Sequence, residues 1–178
     1  MGGTVARARR EERGGEAVEI RLRPLAESDL PLFERWLHAP HAARWYENPQ
    51  DWLTEVRGRN GAFRFLRHFI VLADNTPVGF AQYYPYEASG ETWQGSLPVR
   101  GTYSIDYLIG EPDFLGRGCG RETVRRLVER IAAEPDARRV IVCPEEGNAA
   151  SRRTLRSAGF GFDADNGVFL LELATPGP

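Results

Sequence analysis

The sequence predicts an α/β fold, because segments with the two-residue period of strands alternate with segments that have the 3.6-residue period of helices. The 178-residue length fits one domain with a sizeable core. A composition that is 42% hydrophobic and 27% charged is typical of a globular protein. Residues 1–16, rich in Gly, Ala, Glu and Arg, are predicted to be a disordered tail, and residues 17–178 a single domain.

The first half of the domain predicts three strands and two helices. The strands are expected at 18–23, 68–73 and 78–86, where apolar and β-branched residues recur. Ser28 or Asp29 is expected to cap the first helix, and Asn48, followed by Pro49, to begin the second. Both helices therefore lie between the first strand and the second, and a long polar connection follows over 87–100.

The second half predicts a strand at 102–109, a glycine-rich turn and an amphipathic helix from Arg121 to about Ala133. A short buried strand is expected at 139–143. Asn148 is predicted to cap another helix that ends near Gly159. Segments 160–162 and 168–173 then form a closing hairpin around an Asp-Asn-Gly turn, since Asn-Gly favours tight hairpin turns.

The turn Leu115-Gly116-Arg117-Gly118-Cys119-Gly120 is the strongest functional signal. A glycine-rich turn between a strand and a helix exposes backbone N–H groups at the positive end of the helix dipole, which predicts a phosphate or pyrophosphate site. The turn lacks the Gly-Lys-Ser/Thr ending of a nucleotide P-loop. A plain strand-to-helix turn that needs glycine for backbone freedom is the alternative.

Composition disfavours several other classes of protein. A net charge of −2 disfavours a nucleic-acid binder, and no apolar run is long enough for a membrane span. No signal peptide is visible, and Cys119 and Cys143, both expected in the core, make no disulfide framework. A reduced, cytoplasmic setting is therefore expected. The three histidines are scattered, so no metal site is expected.

The glycine turn and its surroundings resemble the GNAT superfamily of acetyl-CoA-dependent N-acyltransferases. Gly118 and Gly120 match the glycines of the family signature Gln/Arg-x-x-Gly-x-Gly/Ala, with Leu115 at the usual Gln or Arg. Asn148 and the ending Ser-Ala-Gly-Phe at 157–160 resemble the second helix on the coenzyme side. The resemblance covers about 18–173. It implies a mixed, mainly antiparallel central sheet flanked by helices on both faces, with acetyl-CoA as the cofactor.

A narrower resemblance points to the aminoglycoside 6′-N-acetyltransferases. Three segments carry it: Ser-Ile-Asp-Tyr-Leu-Ile-Gly-Glu-Pro at 104–112, Pro-Val-Gly-Phe-Ala-Gln-Tyr-Tyr at 77–84, and the N-terminal 22–37. In those enzymes the aspartate at the position of Asp106 orients the amine and accepts its proton. Tyr107 replaces the usual Gln. The resemblance implies a small primary amine as substrate, most directly an aminoglycoside 6′-amine.

These arguments give candidate residues for the coenzyme and the amine. Coenzyme contacts are expected from the strand, the turn and the second helix: Leu108, Ile109, Gly116, Arg117, Gly118, Cys119, Gly120, Arg121, Asn148 and Ser151. Aromatics between 46 and 115, and acids at 86–115 and near 145 and 163, predict an acidic, aromatic-lined substrate cleft, which suits a polycationic amine. Its candidate contacts are Trp36, Tyr46, Tyr84, Tyr107 and Glu145. Ordinary solvated loop charges and core aromatics are the alternative.

The proton for the leaving thiolate has no obvious source. The family often supplies a tyrosine at the place of Leu155, so Tyr103, Tyr107, Ser151 or water remain as candidates. That substitution also leaves a non-catalytic coenzyme-binding protein open as an alternative. Other amines, such as a hydroxylysine-type siderophore precursor or a protein N-terminus, are a further alternative. A homodimer through the sheet edge or the closing hairpin is considered as a partner.

Overall fold

A seven-stranded sheet forms the centre of residues 18–174, the part of the chain that the computed structural model describes. Its order is β1-β2-β3-β4-β5-β7-β6. The strands are β1 (Ile20–Pro24), β2 (Arg67–Ala73), β3 (Thr76–Pro85), β4 (Thr102–Ile109), β5 (Arg139–Val142), β6 (Gly161–Asp163) and β7 (Val168–Glu172). Only the neighbours β4 and β5 run parallel, so the mixed, mainly antiparallel sheet is confirmed. The predicted tail at 1–16 lies outside the described residues.

Helices cover both faces of this sheet, as expected. They are α1 (Leu30–Leu37), α2 (Pro40–Ala43), α3 (Pro49–Arg57), α4 (Tyr86–Ser89), α5 (Cys119–Ala132) and α6 (Ala149–Ser157). On one face, residues of α1–α3 pack with Ile70, Phe80 and Leu108. On the other face, α5 and α6 bury Leu127 and Leu155 against the sheet. No helix within 18–174 is long and apolar enough to cross a membrane.

Two short helices and two helix caps differ from what the local sequence pattern predicts. Helices α2 and α4 were not expected, because a four-residue helix is too short to display a 3.6-residue period. The predicted caps at the first two helices are wrong: the Asp29 carboxylate accepts instead from Ala26 N and the Arg23 guanidinium. Asn48 precedes α3 with φ 53° and makes no side-chain cap. Asn148 does cap α6, accepting from the backbone N–H of Ser151 at 3.0 Å.

The sheet opens between its two parallel strands. Strand β4 pairs with β5 only from Thr102 to Ser104, whereas its pairing with β3 continues to Ile109. The backbone groups of 105–109 that face away from β3 therefore lie beside a gap and not beside a neighbouring strand. Because α5 begins just beyond this end of β4, the gap leads towards the glycine turn.

Candidate active site

A cleft of about 810 Å³ occupies the gap between β4 and β5. Its walls come from β4, the end of β5, the turn before α5, the first two turns of α6 and the segment around α2. The loop after α4 closes one side with Glu91 and Trp93. The splayed strands thus expose strand backbone, a glycine turn and ionisable side chains in a single cavity.

Most of the residues predicted for the site line this cleft. They are Tyr46, Tyr84, Asp106, Tyr107, Leu108, Ile109, Gly116, Gly118, Gly120, Arg121, Glu145, Asn148 and Ser151. The candidates for the coenzyme and those for the amine therefore share one cavity, although 46 and 145 are far apart in sequence.

Trp36, Arg117 and Cys119 do not line the cleft. Trp36 is 1% exposed, and its indole N–H donates to Glu111 Oε1 at 2.8 Å, so we correct its assignment from substrate contact to core residue. The Arg117 guanidinium lies over the Phe114 ring on the outer surface. The Cys119 side chain is buried beneath the turn, as expected.

The second cysteine, unlike the first, is not buried. Cys143 was expected in the core, but it is exposed and lines the cleft just after β5 ends. The strand pattern failed there because 143 follows the last paired residue of β5, Val142, and so no longer alternates with the sheet.

The turn before α5 has the geometry of an anion cradle. Gly116 and Gly118 have φ values of 70° and 83°, a left-handed conformation that glycine adopts without steric cost. A Cβ added at Gly116 would meet nothing within 4 Å, so the backbone is open to a ligand. Helix α5 begins directly after Gly118, which aims its first N–H groups into this space. Arg121 and Arg153 line the same end of the cleft and add positive charge.

Asp106 occupies the acidic end of the cleft. The side-chain amide of Gln82 donates to Asp106 Oδ2 at 2.8 Å from the neighbouring strand β3. Burial raises the pKa of Asp106 to about 6; the Gln82 hydrogen bond opposes this rise, and the negative charges of Glu91 and Glu145 add to it. A carboxyl group with this pKa is ionised at neutral pH yet basic enough to accept a proton.

Two further acids, Glu91 and Glu55, interact with Asp106 through their charges; of the two, Glu91 lines the cleft. Glu91 accepts a hydrogen bond from the Tyr84 hydroxyl at 3.1 Å. Glu55, on α3, was assigned no role from the sequence. Burial, together with the negative charges of Asp106 and Glu91, raises its pKa to about 7. Nothing in the local sequence of α3 marks Glu55, because only the tertiary fold brings it near β4.

Aromatic side chains form the wall opposite the glycine turn. The Tyr46 hydroxyl donates to the Tyr107 carbonyl at 2.6 Å, and its ring contacts that of Trp52 at a centroid distance of 4.9 Å. A ring nitrogen of His41 lies 2.9 Å from the Ile109 carbonyl. The segment around α2 is therefore fastened to the open end of β4. Trp45 and Trp93 complete this wall.

A pair of hydroxyl groups lies where β4 approaches the starts of α5 and α6. Tyr107 Oη is 2.8 Å from Ser151 Oγ on α6. Burial raises the pKa of Tyr107 to about 12, so its hydroxyl keeps its proton at neutral pH. Tyr103, another candidate proton donor, instead donates to Asp136 at 2.6 Å and does not line the cleft. Leu155 is fully buried in the core.

This arrangement combines an anion cradle, an exposed strand edge and a partly buried carboxylate. Such a site can hold a phosphate-bearing carrier along β4 and deprotonate a nucleophile beside Asp106. Comparison with known proteins supports that reading. Residues 26–166 match the family model described as an acetyltransferase (GNAT) domain.

Similar proteins include characterised relatives and solved structures. The aminoglycoside N(6′)-acetyltransferase type 1 of Klebsiella pneumoniae is 29% identical over 147 residues, which are 79% of this chain and 73% of that protein. The structure of AAC(6′)-Ib with paromomycin and acetyl-CoA superposes with a TM-score of 0.74 at 25% identity, covering 86% of this chain and 93% of the other. Its complex with coenzyme A and kanamycin gives a TM-score of 0.73 at 26% identity, covering 86% and 95%. The gap between β4 and β5 and the glycine turn are consistent with this family match. The chain therefore belongs to the GNAT family of acetyltransferases.

Proposed function

We propose that the protein transfers the acetyl group of acetyl-CoA directly to a primary amine, and that this amine is the 6′-amine of an aminoglycoside. The observation that carries the proposal is the position of Asp106. Its carboxylate lies in the cleft at the β4–β5 gap, among Glu91 and Glu145. The names of the K. pneumoniae relative and of the AAC(6′)-Ib structures support the choice of substrate.

The residues present fit the coenzyme. Bound acetyl-CoA supplies an acetyl group activated as a thioester. The N–H groups that follow Gly116 and Gly118 at the start of α5 would hold its pyrophosphate, with Arg121 and Arg153 balancing the phosphate charge. At the open edge of β4 the Ile109 N–H would pair with a pantetheine carbonyl, whereas the Leu108 carbonyl faces Gly79 on β3.

Asp106 would orient and deprotonate the amine. An ammonium group entering the acidic end donates a hydrogen bond to the Asp106 carboxylate, which fixes the nitrogen near the gap. With a pKa of about 6, Asp106 is ionised above that pH and accepts the proton that the amine must lose. The backbone N–H groups of β4 that face the gap are available to polarise a carbonyl oxygen.

The composition of the cleft favours a polycation. Glu91, Asp106 and Glu145 line one end together with Trp45, Trp52 and Trp93. Acidic groups in a low-dielectric cleft concentrate a multiply charged amine, and flat aromatic faces suit sugar rings and ammonium groups. An aminoglycoside has both features, whereas a peptide N-terminus has one charge at the reacting end.

The neutral hydroxyl of Tyr107 also weakens the case for a non-catalytic protein, because a proton donor is present despite Leu155.

A thiol-release assay tests the proposal. The purified protein would be incubated with acetyl-CoA and kanamycin, tobramycin, a 6′-hydroxyl aminoglycoside, a polyamine, a lysine derivative or a short peptide. We expect release with the 6′-amino compounds and none with the 6′-hydroxyl compound. Release with the lysine derivative or the peptide alone would contradict the substrate assignment while leaving acetyl transfer intact. Tight binding of acetyl-CoA without turnover of any amine would contradict the activity itself.

A further inference from the structure

Three polar side chains lie in one row across the sheet. His68 on β2 is directly opposite Gln82 on β3, and Gln82 is directly opposite Asp106 on β4. Residues opposite one another in a sheet present their side chains to the same face. The next row on this face, Ile70, Phe80 and Leu108, is entirely apolar and belongs to the core beneath α1–α3. The polar row therefore runs from the interior of the sheet to the cleft.

Two atoms of this row are buried without a hydrogen-bond partner among the described residues. Gln82 is 2% exposed; its Nε2 donates to Asp106 Oδ2 at 2.8 Å, while its Oε1 has no partner. His68 is 7% exposed, and its Nε2 has no partner either. Leaving buried polar atoms unpaired is unfavourable, so native proteins pair them directly or through water.

The two unpaired atoms are chemically complementary. Burial, together with the nearby positive charge of Arg59, lowers the pKa of His68 to about 4, so the imidazole is neutral at neutral pH. A neutral imidazole carries a proton on one nitrogen and can donate it from Nε2. Gln82 Oε1 can only accept. Directly opposite residues have Cβ atoms about 5 Å apart, a separation that one rotamer adjustment or one water molecule bridges.

We propose that His68 is a positioning residue for Asp106, acting through Gln82: its Nε2–H donates to Gln82 Oε1, directly or through one buried water. This bond fixes the orientation of the amide. With Oε1 held by His68, only the N–H side of Gln82 faces Asp106. The flipped amide would place an oxygen against the carboxylate, which repels it. The catalytic importance of this row rests on the proposed function, but its effect on Asp106 does not.

The acid–base state of Asp106 reports whether the row exists. The groups coupled to Asp106 by charge are Glu55 on α3, Glu91 after α4, Glu145 after β5, and the phenols of Tyr46, Tyr84 and Tyr107. All are acids or neutral phenols, so the Gln82 amide is the neighbour that stabilises the carboxylate form. Loss of its correct orientation must raise the pKa of Asp106.

Carboxyl ¹³C NMR titration of the free protein tests the coupling without any substrate, with Asp106→Asn used to assign the resonance. We expect Gln82→Met to raise the pKa of Asp106 by about one pH unit, the scale of a lost hydrogen bond to a charged group. His68→Leu should raise it in the same direction, and His68→Gln, which keeps a donor, should restore it. The double variant His68→Leu/Gln82→Met should match Gln82→Met alone, because His68 acts through Gln82.

Ile70→Val is the matched control, since Ile70 is buried on the same strand and face but has no polar atom. It should leave the titration of Asp106 unchanged. A titration that moves with Gln82→Met but not with His68→Leu, or equally with Ile70→Val, overturns the proposal. If no aminoglycoside is acetylated but the titrations behave as expected, the row stands and the proposed substrate falls.

A second measurement uses the unmodified protein, so it does not depend on a variant that folds. Histidine labelled with ¹⁵N reports which ring nitrogen carries the proton. We expect His68 to be neutral with its proton on Nε2, and that proton to exchange slowly with solvent. A proton on Nδ1, or a charged His68 at pH 7, would rule out the donation to Gln82.

Discussion

The hydroxyl of Tyr107 lies 2.8 Å from Oγ of Ser151, and this pair joins β4 to α6 on the open side of the sheet. Tyr107 occupies the position where the resembling aminoglycoside enzymes have Gln. Leu155, one helical turn beyond Ser151, is buried in the core, at the place where the family often has a tyrosine. In this chain the phenol that lines the cleft beside α6 therefore comes from the strand and not from the helix.

Tyr107→Phe should lower kcat for acetyl transfer about tenfold or more while leaving the Kd of acetyl-CoA nearly unchanged. The reason is that the hydroxyl would donate to the departing sulfur and does not hold the pyrophosphate. Steady-state kinetics and calorimetric titration measure the two quantities. Tyr103→Phe is the matched control: its hydroxyl bonds Asp136 away from the cleft, so it should lower stability but not kcat. Equal losses in both variants would indicate a purely structural role.

Asp106→Asn should lower kcat about 100-fold or more, because the amide cannot accept the proton of the amine. Acetyl-CoA should bind with unchanged affinity, since the turn before α5, and not Asp106, forms the anion cradle. In the unmodified protein kcat/KM should rise as pH increases through about 6, when Asp106 ionises. A variant that retains full turnover would show that another group removes the proton.

The same substitution should stabilise the protein at high pH. Folding raises the pKa of Asp106 from 3.8 to about 6, so between these values the folded state binds more protons than the unfolded state. Stability contributed by this group therefore falls as pH rises through that window. We expect Asp106→Asn to increase the free energy of unfolding by about 1–3 kcal/mol at pH 8 and to have little effect near pH 4. Urea denaturation at the two pH values measures the difference, and an equal gain at both would contradict it.

Gly118→Ala should weaken acetyl-CoA binding by more than its effect on stability explains. Gly118 has a φ of 83°, and alanine there costs about 1 kcal/mol and places a methyl group beside the N–H groups of α5. Gly167→Ala is the control, because Gly167 has a φ of 70° with nothing near its added Cβ and lies in the β6–β7 turn. Both variants should lose similar stability in thermal denaturation, and only Gly118→Ala should raise the Kd. Equal Kd values in both would remove the turn from the coenzyme site.

Trp36→Phe should destabilise the fold by about 1–2 kcal/mol without changing KM for the amine. Its indole fills space beside Gly110 and donates to Glu111, which also pairs with Arg35 at 2.6 Å. Denaturant unfolding and substrate kinetics on the same preparation separate the two effects. An increase in KM with unchanged stability would return Trp36 to the list of substrate contacts.

The elements with strong local signals were predictable from the sequence. The strands, the helix after the glycine turn and the Asn148 cap each depend on neighbouring residues, and the structure contains them. The family resemblance, which the family match confirms, supplied the mixed, mainly antiparallel sheet with helices on both faces. Residues whose role depends on distant partners were missed. Glu55 becomes a neighbour of Asp106 only through packing of α3, and Arg153 reaches the cleft only because α6 docks beside α5.

Aromatic residues were the hardest to place, because burial and ligand binding select the same side chains. Trp36 and Tyr46 look alike in the sequence, yet one lies in the core and the other lines the cleft. Gln82 did carry a signal: it is an amide in an otherwise apolar stretch of β3. Burying an amide is unfavourable unless it is paired, so a polar residue in such a strand indicates a partner on the neighbouring strand.

The short contact between β4 and β5 also determines where the backbone should exchange its amide hydrogens with solvent. Strand pairing between the β1–β4 part of the sheet and the β5–β7 part is confined to Thr102–Ser104 of β4. Backbone amides of 105–109 that face the gap should exchange with deuterium rapidly in the free protein, whereas those paired with β3 exchange slowly. A ligand bound along β4 would take the place of a missing strand. It would slow deuterium exchange of the exposed amides and make the two parts of the sheet unfold together.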